Sequence, residues 1–209
     1  MRSPWLDIPL ADYEGHMALP GIGQAQMLAD QFAELLAQWV PRSAAVIGCA
    51  GGNGFDRVRC EVTQRVVGID INPHYVQALA DRHAASTPGL ELYVRDIQEP
   101  IEGIDPVDLI YAALVLEYVD LAAALRHLKS ICRPNGILAT VLQLPSEGSP
   151  QISQSPFTRL KDLGPAMHLV APASLISGAA EQGFLLQSTR HLKLSSAKEF
   201  LLQVFQCGG

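Results

Sequence analysis

Leu28, Phe32, Leu35, Leu36 and Trp39 recur at the i, i+4, i+7, i+8, i+11 spacing of one apolar helix face, and Pro41 stops the pattern. Downstream, short apolar runs alternate with helical segments. Ala44–Cys49 reads as a first strand, Arg65–Ile69 as a second and Glu91–Val94 as a weaker third. Val107–Val115 reads as a fourth and Ile137–Leu144 as a fifth. Helices are predicted near Phe55–Cys60, Pro73–Ala85, Leu121–Cys132 and Pro172–Gln182. Leu121, Leu125 and Leu128 share one face of the third of these, and Pro134-Asn135-Gly136 turns the chain after it. Alternation of strand and helix implies a parallel sheet covered on both faces, doubly wound by right-handed crossovers.

Three stretches depart from this alternation. Leu185–Leu194 and Glu199–Gln206 are both strand-like, with only Ser195–Lys198 between them. So short a link suits an antiparallel hairpin and cannot hold a crossover helix. The expected fold class is therefore α/β, with a seven-stranded, mostly parallel sheet and an antiparallel C-terminal strand. Residues 1–20 read as irregular, broken by Pro4, Pro9, Gly15 and Pro20. Pro145–Ala171 is a long polar stretch rich in Pro and Ser, and irregular segments of that length inside a domain are usually functional.

Candidate chemistry begins at residues 46–55, VIGCAGGNGF, where four glycines fall just after the first strand. Glycines there allow a tight turn and let a ligand approach the backbone, while a following helix would leave N–H donors free. A tight loop with no ligand is the plain alternative. Asp70 ends the second strand in VVGIDINP, about where a ribose acceptor belongs relative to the first glycine. Its alternative role, capping the next helix, is better filled by Asn72 ahead of Pro73. Asp96, after the third strand in YVRDIQEP, could accept an adenine amino hydrogen while the Ile97 N–H serves a ring nitrogen. Alone, it reads as a surface loop residue.

Taken together, VIGCAGGNGF, VVGIDINP, YVRDIQEP, VDLIYAALVLEYVD, LKSICRPNGILATVL and the terminal hairpin resemble the class I S-adenosylmethionine-dependent methyltransferases. The resemblance covers about residues 25–206 and implies a Rossmann-like methyltransferase fold. It implies S-adenosylmethionine as cofactor and S-adenosylhomocysteine as product. It assigns cofactor contacts to Gly48, Cys49, Ala50, Gly52, Asp70, Ile71, Asp96, Ile97 and Leu114. Two positions depart from the family pattern. Val46 stands where an acid is usual, which removes one expected contact to the methionine ammonium. Ala50 stands where glycine is usual, a change that a negative φ would accommodate.

Composition narrows the partners. The 209 residues fit one domain, 1–209, with 1–20 as a lead or lid and 145–171 as a substrate-side loop. The formal charge of −6 argues against general nucleic-acid binding and favours a small-molecule acceptor. Cys49, Cys60, Cys132 and Cys207 form no C-x-x-C pair, so neither a zinc site nor a disulfide framework is expected. The start lacks a continuous apolar core and no apolar run is long enough to span a bilayer, so a soluble, cytoplasmic protein with no membrane partner is expected. Two rivals are retained. One is an NAD-binding Rossmann oxidoreductase, although no Tyr has a Lys four positions on, as short-chain dehydrogenases require. The other is a catalytically silent S-adenosylmethionine-binding module.

The candidate catalytic residues are Glu117, Tyr118, His168, Tyr13 and His16. Glu117 and Tyr118 follow the fourth strand, where open α/β sheets bind ligands; equally, Glu117 could cap the next helix or be solvated, with Tyr118 packed under it. Tyr13, Glu14 and His16 lie in a lead that can fold over the cofactor or pack Trp5 and Tyr13 as a surface arm. His168 can serve as a base near neutrality, although a lone histidine is more often structural. Arg159 and Lys161 could meet an anionic acceptor but read first as solvated loop charges.

Overall fold

The structure, a computed structural model, describes residues 2–146, 150–194 and 198–208. Five strands run parallel: β1 (Ser43–Ile47), β2 (Arg65–Asp70), β3 (Leu90–Val94), β4 (Val107–Ala113) and β5 (Cys132–Gln143). β7 (Glu199–Cys207) lies antiparallel between β5 and β6 (Phe184–Lys193), which gives the order β3-β2-β1-β4-β5-β7-β6. The expected seven-stranded sheet with an antiparallel C-terminal strand is thus observed. This order also separates the sheet from the all-parallel 3-2-1-4-5-6 dinucleotide fold.

Side-chain alternation divides the core between the two faces of the sheet. Ala44 and Val46 of β1 face α2 (Gln24–Trp39), whose Leu28, Phe32 and Leu35 are buried there. α3 (Pro73–His83) adds Leu79 on the same side. Ala45 and Ile47 face the opposite layer, where α4 (Leu121–Ser130) buries Leu125 and Leu128 and α5 (Pro172–Glu181) buries Leu175. Burying each such side chain contributes about 1.5–3 kcal/mol. The chain runs outward from β1 in both directions, to β2 and to β4, so a crevice opens at the carboxyl ends of these strands.

Four expectations need correction. The lead is not irregular: Pro4–Asp7 forms a 3-10 turn and Leu10–Ala18 an α-helix, α1. Pro9 precedes the first turn of α1, where a missing N–H costs nothing, and Gly15 lets the Phe157 ring press on the helix. The helix expected near Phe55–Cys60 is one 3-10 turn, Phe55–Arg57. Gly54 sits directly against Ala29 of α2, and Phe55 is the only buried anchor that turn provides, so no apolar stripe exists to seat a longer helix. Pro134–Gly136 lies inside β5 rather than ahead of it, with Asn135 at φ 63° and a register shift opposite, between Val107 and Leu109. Finally, Thr158–Ala166 within the long polar stretch is a 3-10 helix. Residues 147–149 of that stretch, and 195–197 of the hairpin link, lie outside the described residues.

Candidate functional site

The glycine loop is tied to β2 through Asp70. Gly48 N–H and Cys49 N–H donate to the Ile69 carbonyl at 2.8 and 3.2 Å. Asp70 Oδ2 accepts from Ala50 N–H at 2.9 Å and Oδ1 from Asn72 N–H at 2.8 Å. Burial raises the Asp70 pKa, and these backbone donors oppose the rise. Gly48 has φ 66°, in the left-handed region that glycine enters freely. Gly51 leaves room for Glu14 and Arg82, whose side-chain ends a Cβ there would displace; they pair over the loop while Arg82 Nη1 donates to the Gly51 carbonyl at 3.1 Å. Ala50 corrects a further expectation. Its φ is +45°, not negative, so its methyl sits in strained backbone.

Above the loop lies a cleft of about 1090 Å³ at the carboxyl ends of β1 to β4. Gly48, Ala50, Asp70, Ile71, Asp96, Ile97 and Leu114 all line it. Leu114, with φ 54°, is the second non-glycine residue of the cleft lining in left-handed backbone, a strain typical of functional sites. Cys49 and Gly52 do not line the cleft. Cys49 is buried in the core beneath it, and Gly52 faces His83 and Leu79. Asp96 Oδ1 accepts from Gln98 N–H at 2.9 Å and is otherwise bonded only to the Gln98 side chain among the described residues.

The N-terminal lead roofs this cleft. Asn72 Nδ2 donates to the Trp5 carbonyl at 2.8 Å, and Tyr75 Oη donates to the Ile8 carbonyl at 2.9 Å. Trp5 meets Tyr118 and Tyr13 edge-on, with centroids 5.0 and 5.6 Å away. All three rings line the cleft. The lead is an arm packed through Trp5 and Tyr13, and it walls the cavity. Burial pushes both tyrosine phenols up, so they remain neutral donors at ordinary pH.

The other candidate catalytic residues are dispersed. His168 lines the cleft, and its N–H donates to the Glu117 carbonyl at 2.7 Å. Glu117 is fully buried and lines neither cavity; Asp120, not Glu117, caps α4. Its Oε1 accepts from Gln143 N–H at 2.8 Å, whereas Oε2 has no partner among the described residues, and burial raises its pKa to about 7. His16 lines a second, smaller chamber of about 70 Å³, with its Nδ1 2.9 Å from Ser155 Oγ and its pKa lowered by burial and then by Lys198. Trp5, Tyr13, Leu114 and Tyr118 wall both cavities. Sequence reasoning missed Gln24, Gln143 and Lys198, which also line the chamber. Their only signal was polarity, which is also what a surface residue shows. Arg159 and Lys161 are exposed and line neither cavity.

Among the described residues no helix is long and apolar enough to cross a membrane, and no group of three or more His, Cys, Asp or Glu is placed to hold a metal ion. The four cysteines are free thiols.

Residues 46–138, which hold the glycine loop, Asp70 and Asp96, match the family model of a methyltransferase domain. No curated protein matches the chain. Among solved structures, the chain resembles the N-methyltransferase NodS from Bradyrhizobium japonicum WM9 in complex with S-adenosyl-L-homocysteine. Identity is 19%, coverage is 97% of this chain and 90% of that one, and the TM-score is 0.64. It also resembles magnesium protoporphyrin IX methyltransferase from Synechocystis PCC 6803 with bound S-adenosylhomocysteine, at 16% identity, 90% and 84% coverage and TM-score 0.66. A third is geranyl diphosphate C-methyltransferase from Streptomyces coelicolor A3(2), at 11% identity, 85% and 78% coverage and TM-score 0.64. At such identities the likeness is one of fold. It agrees with the Rossmann-like methyltransferase fold that the resemblance implied, and the domain match covers residues 46–138.

Proposed function

We propose that this chain, whose residues 46–138 carry a methyltransferase domain, binds S-adenosylmethionine in the roofed cleft and transfers its methyl group to a small molecule. The observation that carries the reading is the convergence of the loop at Gly48–Ala50, Asp70 and Asp96–Ile97 on one cleft at the strand ends. In this reading residues 1–209 form one methyltransferase domain, with the lead as its lid and the 145–171 segment on the acceptor side.

The residues fit the cofactor on several counts. The positive φ of Gly48 leaves that position without a side chain, which suits a methionine moiety passing close to the backbone. Asp70 stands at ribose distance along the chain from the first glycine, and Asp96 keeps acceptor capacity for an adenine amino group. The bound sulfonium supplies an already activated methyl group, so the chain's task is alignment and exclusion of water. Trp5, Tyr13 and Tyr118 supply the apolar wall for that task. With both phenols held neutral, His168, which lines the cleft, is the residue suited to accept a proton from a hydroxyl or ammonium acceptor, whereas His16 lines only the small chamber. Tyr13 and Tyr118 can orient the acceptor, and Glu117 has no access to it.

A small-molecule acceptor is supported by the net charge of −6 and by two neighbours of the same fold, named for magnesium protoporphyrin IX and geranyl diphosphate. Fold alone does not fix chemistry, and Val46 favours a second reading, a module that holds the cofactor without turnover. Titration calorimetry with S-adenosylmethionine and with NAD tests cofactor choice; binding of NAD alone refutes the proposal. Asp96→Ala is the informative variant, since Asp70 also holds the loop and its removal would orphan two backbone donors. Asp96→Ala should weaken S-adenosylmethionine at least tenfold, about 1.4 kcal/mol. Unchanged affinity refutes the adenine assignment.

A further inference from the structure

The smaller chamber contains a cation with no matching anion among the described residues. Lys198 is only 5% exposed, and its Nζ donates to the Gln151 carbonyl and to Gln143 Oε1, the latter at 3.3 Å. Among the described residues it forms no ion pair with any Asp or Glu, although nine other ion pairs occur there. A buried ammonium held only by neutral acceptors is under-compensated. Burial accordingly lowers its pKa to about 8. Around it stand the amide side chains of Gln24 and Gln143 and the imidazole of His16, while Met17, Leu160, Leu163 and Met167 close the remaining walls.

We propose that this chamber is the acceptor subsite and that it anchors a carboxylate of the methyl acceptor on Lys198. The size sets the class of group: about 70 Å³ holds a few water-sized atoms, hence a carboxylate and a methylene but not an aromatic ring or a nucleobase. The rest of the acceptor then passes Leu114, Tyr13 and Tyr118, which wall both cavities, and enters the large cleft. Lys198 does not line that cleft, so the carboxylate it holds is an anchor and a different atom of the acceptor receives the methyl group. Once the anion is seated, the ion pair is desolvated and further hydrogen-bonded by neighbouring amides, the arrangement in which such a pair is worth most. The substrate class is thus a small carboxylic acid with a methylatable group further along its chain.

This proposal rests on the methyltransferase reading, and its test separates the two. The full chain carrying Trp39→Phe, so that Trp5 alone reports, is first titrated with S-adenosylhomocysteine. Acetate, butanoate and hexanoate are then added, beside hexanamide and hexylamine as neutral and cationic controls. The acids should bind and the controls should not, with Lys198→Met weakening hexanoate at least tenfold and leaving S-adenosylhomocysteine within twofold. Lys198→Gln, which keeps a donor for the Gln151 carbonyl, should behave the same way and decides the matter if the Met variant does not fold. Equal binding of acid and amide, no binding of any acid, or acid binding indifferent to Lys198 overturns the proposal even where S-adenosylhomocysteine binds. Lys198-dependent acid binding without S-adenosylhomocysteine binding leaves the carboxylate site standing and overturns its role as acceptor subsite.

Discussion

Replacing Glu117 by Gln should make the protein more stable at alkaline pH. The carboxyl is completely buried, one oxygen accepts from Gln143 N–H, and the other has no partner among the described residues. Burial therefore raises its pKa from an ordinary 4.5 to about 7. Between these values the native chain keeps a proton that the unfolded chain has released, so stability falls as pH rises through this window. Above pH 7 the loss is complete. At 1.36 kcal/mol per pH unit it amounts to about 3 kcal/mol. Gln keeps the acceptor for Gln143 N–H and carries no charge to desolvate. At pH 5, where Glu117 is already neutral, the variant and the parent should agree within about 1 kcal/mol, the cost of an extra unpaired amide hydrogen. At pH 8 the variant should be more stable by about 2–3 kcal/mol, roughly 4–12 °C in Tm for a chain of this length. Urea unfolding followed by circular dichroism at the two pH values measures the difference directly. Parallel pH profiles for parent and variant, or a variant weaker at pH 8, would refute the assignment of a raised pKa to this carboxyl.

Other consequences follow from the loop and the lead. Ala50→Gly should stabilise the chain by about 0.5–1 kcal/mol, because relief of 1–2 kcal/mol of left-handed strain exceeds the added entropy of glycine; calorimetric Tm checks it. Gly51→Ala should displace the Glu14–Arg82 pair and loosen the lead, seen as faster hydrogen exchange across Leu10–Ala18 with little change in the sheet. Leu125→Ala, under the opposite face of the sheet, should cost about 2–5 kcal/mol in urea unfolding while leaving cofactor affinity in the surviving folded fraction unchanged.

Much of the architecture was legible because its signals are local. The stripe at Leu28, Phe32, Leu35 and Leu36 names a helix face without tertiary knowledge, and the brevity of the Ser195–Lys198 link forces an antiparallel pair. What was missed depends on contacts between distant segments. α1 carries Gly15 and follows Pro9, so its pattern looks broken until Phe157 and Tyr75 are placed against the lead. The helix after the glycine loop was expected from the loop's resemblance to helix-opening motifs, but α2 packs at that position and Phe55 alone cannot seat a helix. In the site, Asp70, Asp96 and Gly48 could be read from their order along strand ends. Cys49 and Gly52 could not be told from cleft residues, because sequence does not say which way a loop position faces. Lys198 is the clearest case: a lysine beside a turn reads as solvated, and only packing of β7 against β5 and the Gln151 segment buries it.

The central claim is tested most directly by a crystal structure of the full chain grown with S-adenosylhomocysteine. The adenosyl group should lie between Asp70 and Asp96–Ile97, with the methionine moiety along Gly48–Ala50 and the sulfur facing Trp5, Tyr13 and Tyr118. Ligand density elsewhere on the molecule, or none at saturating concentration, would contradict the account.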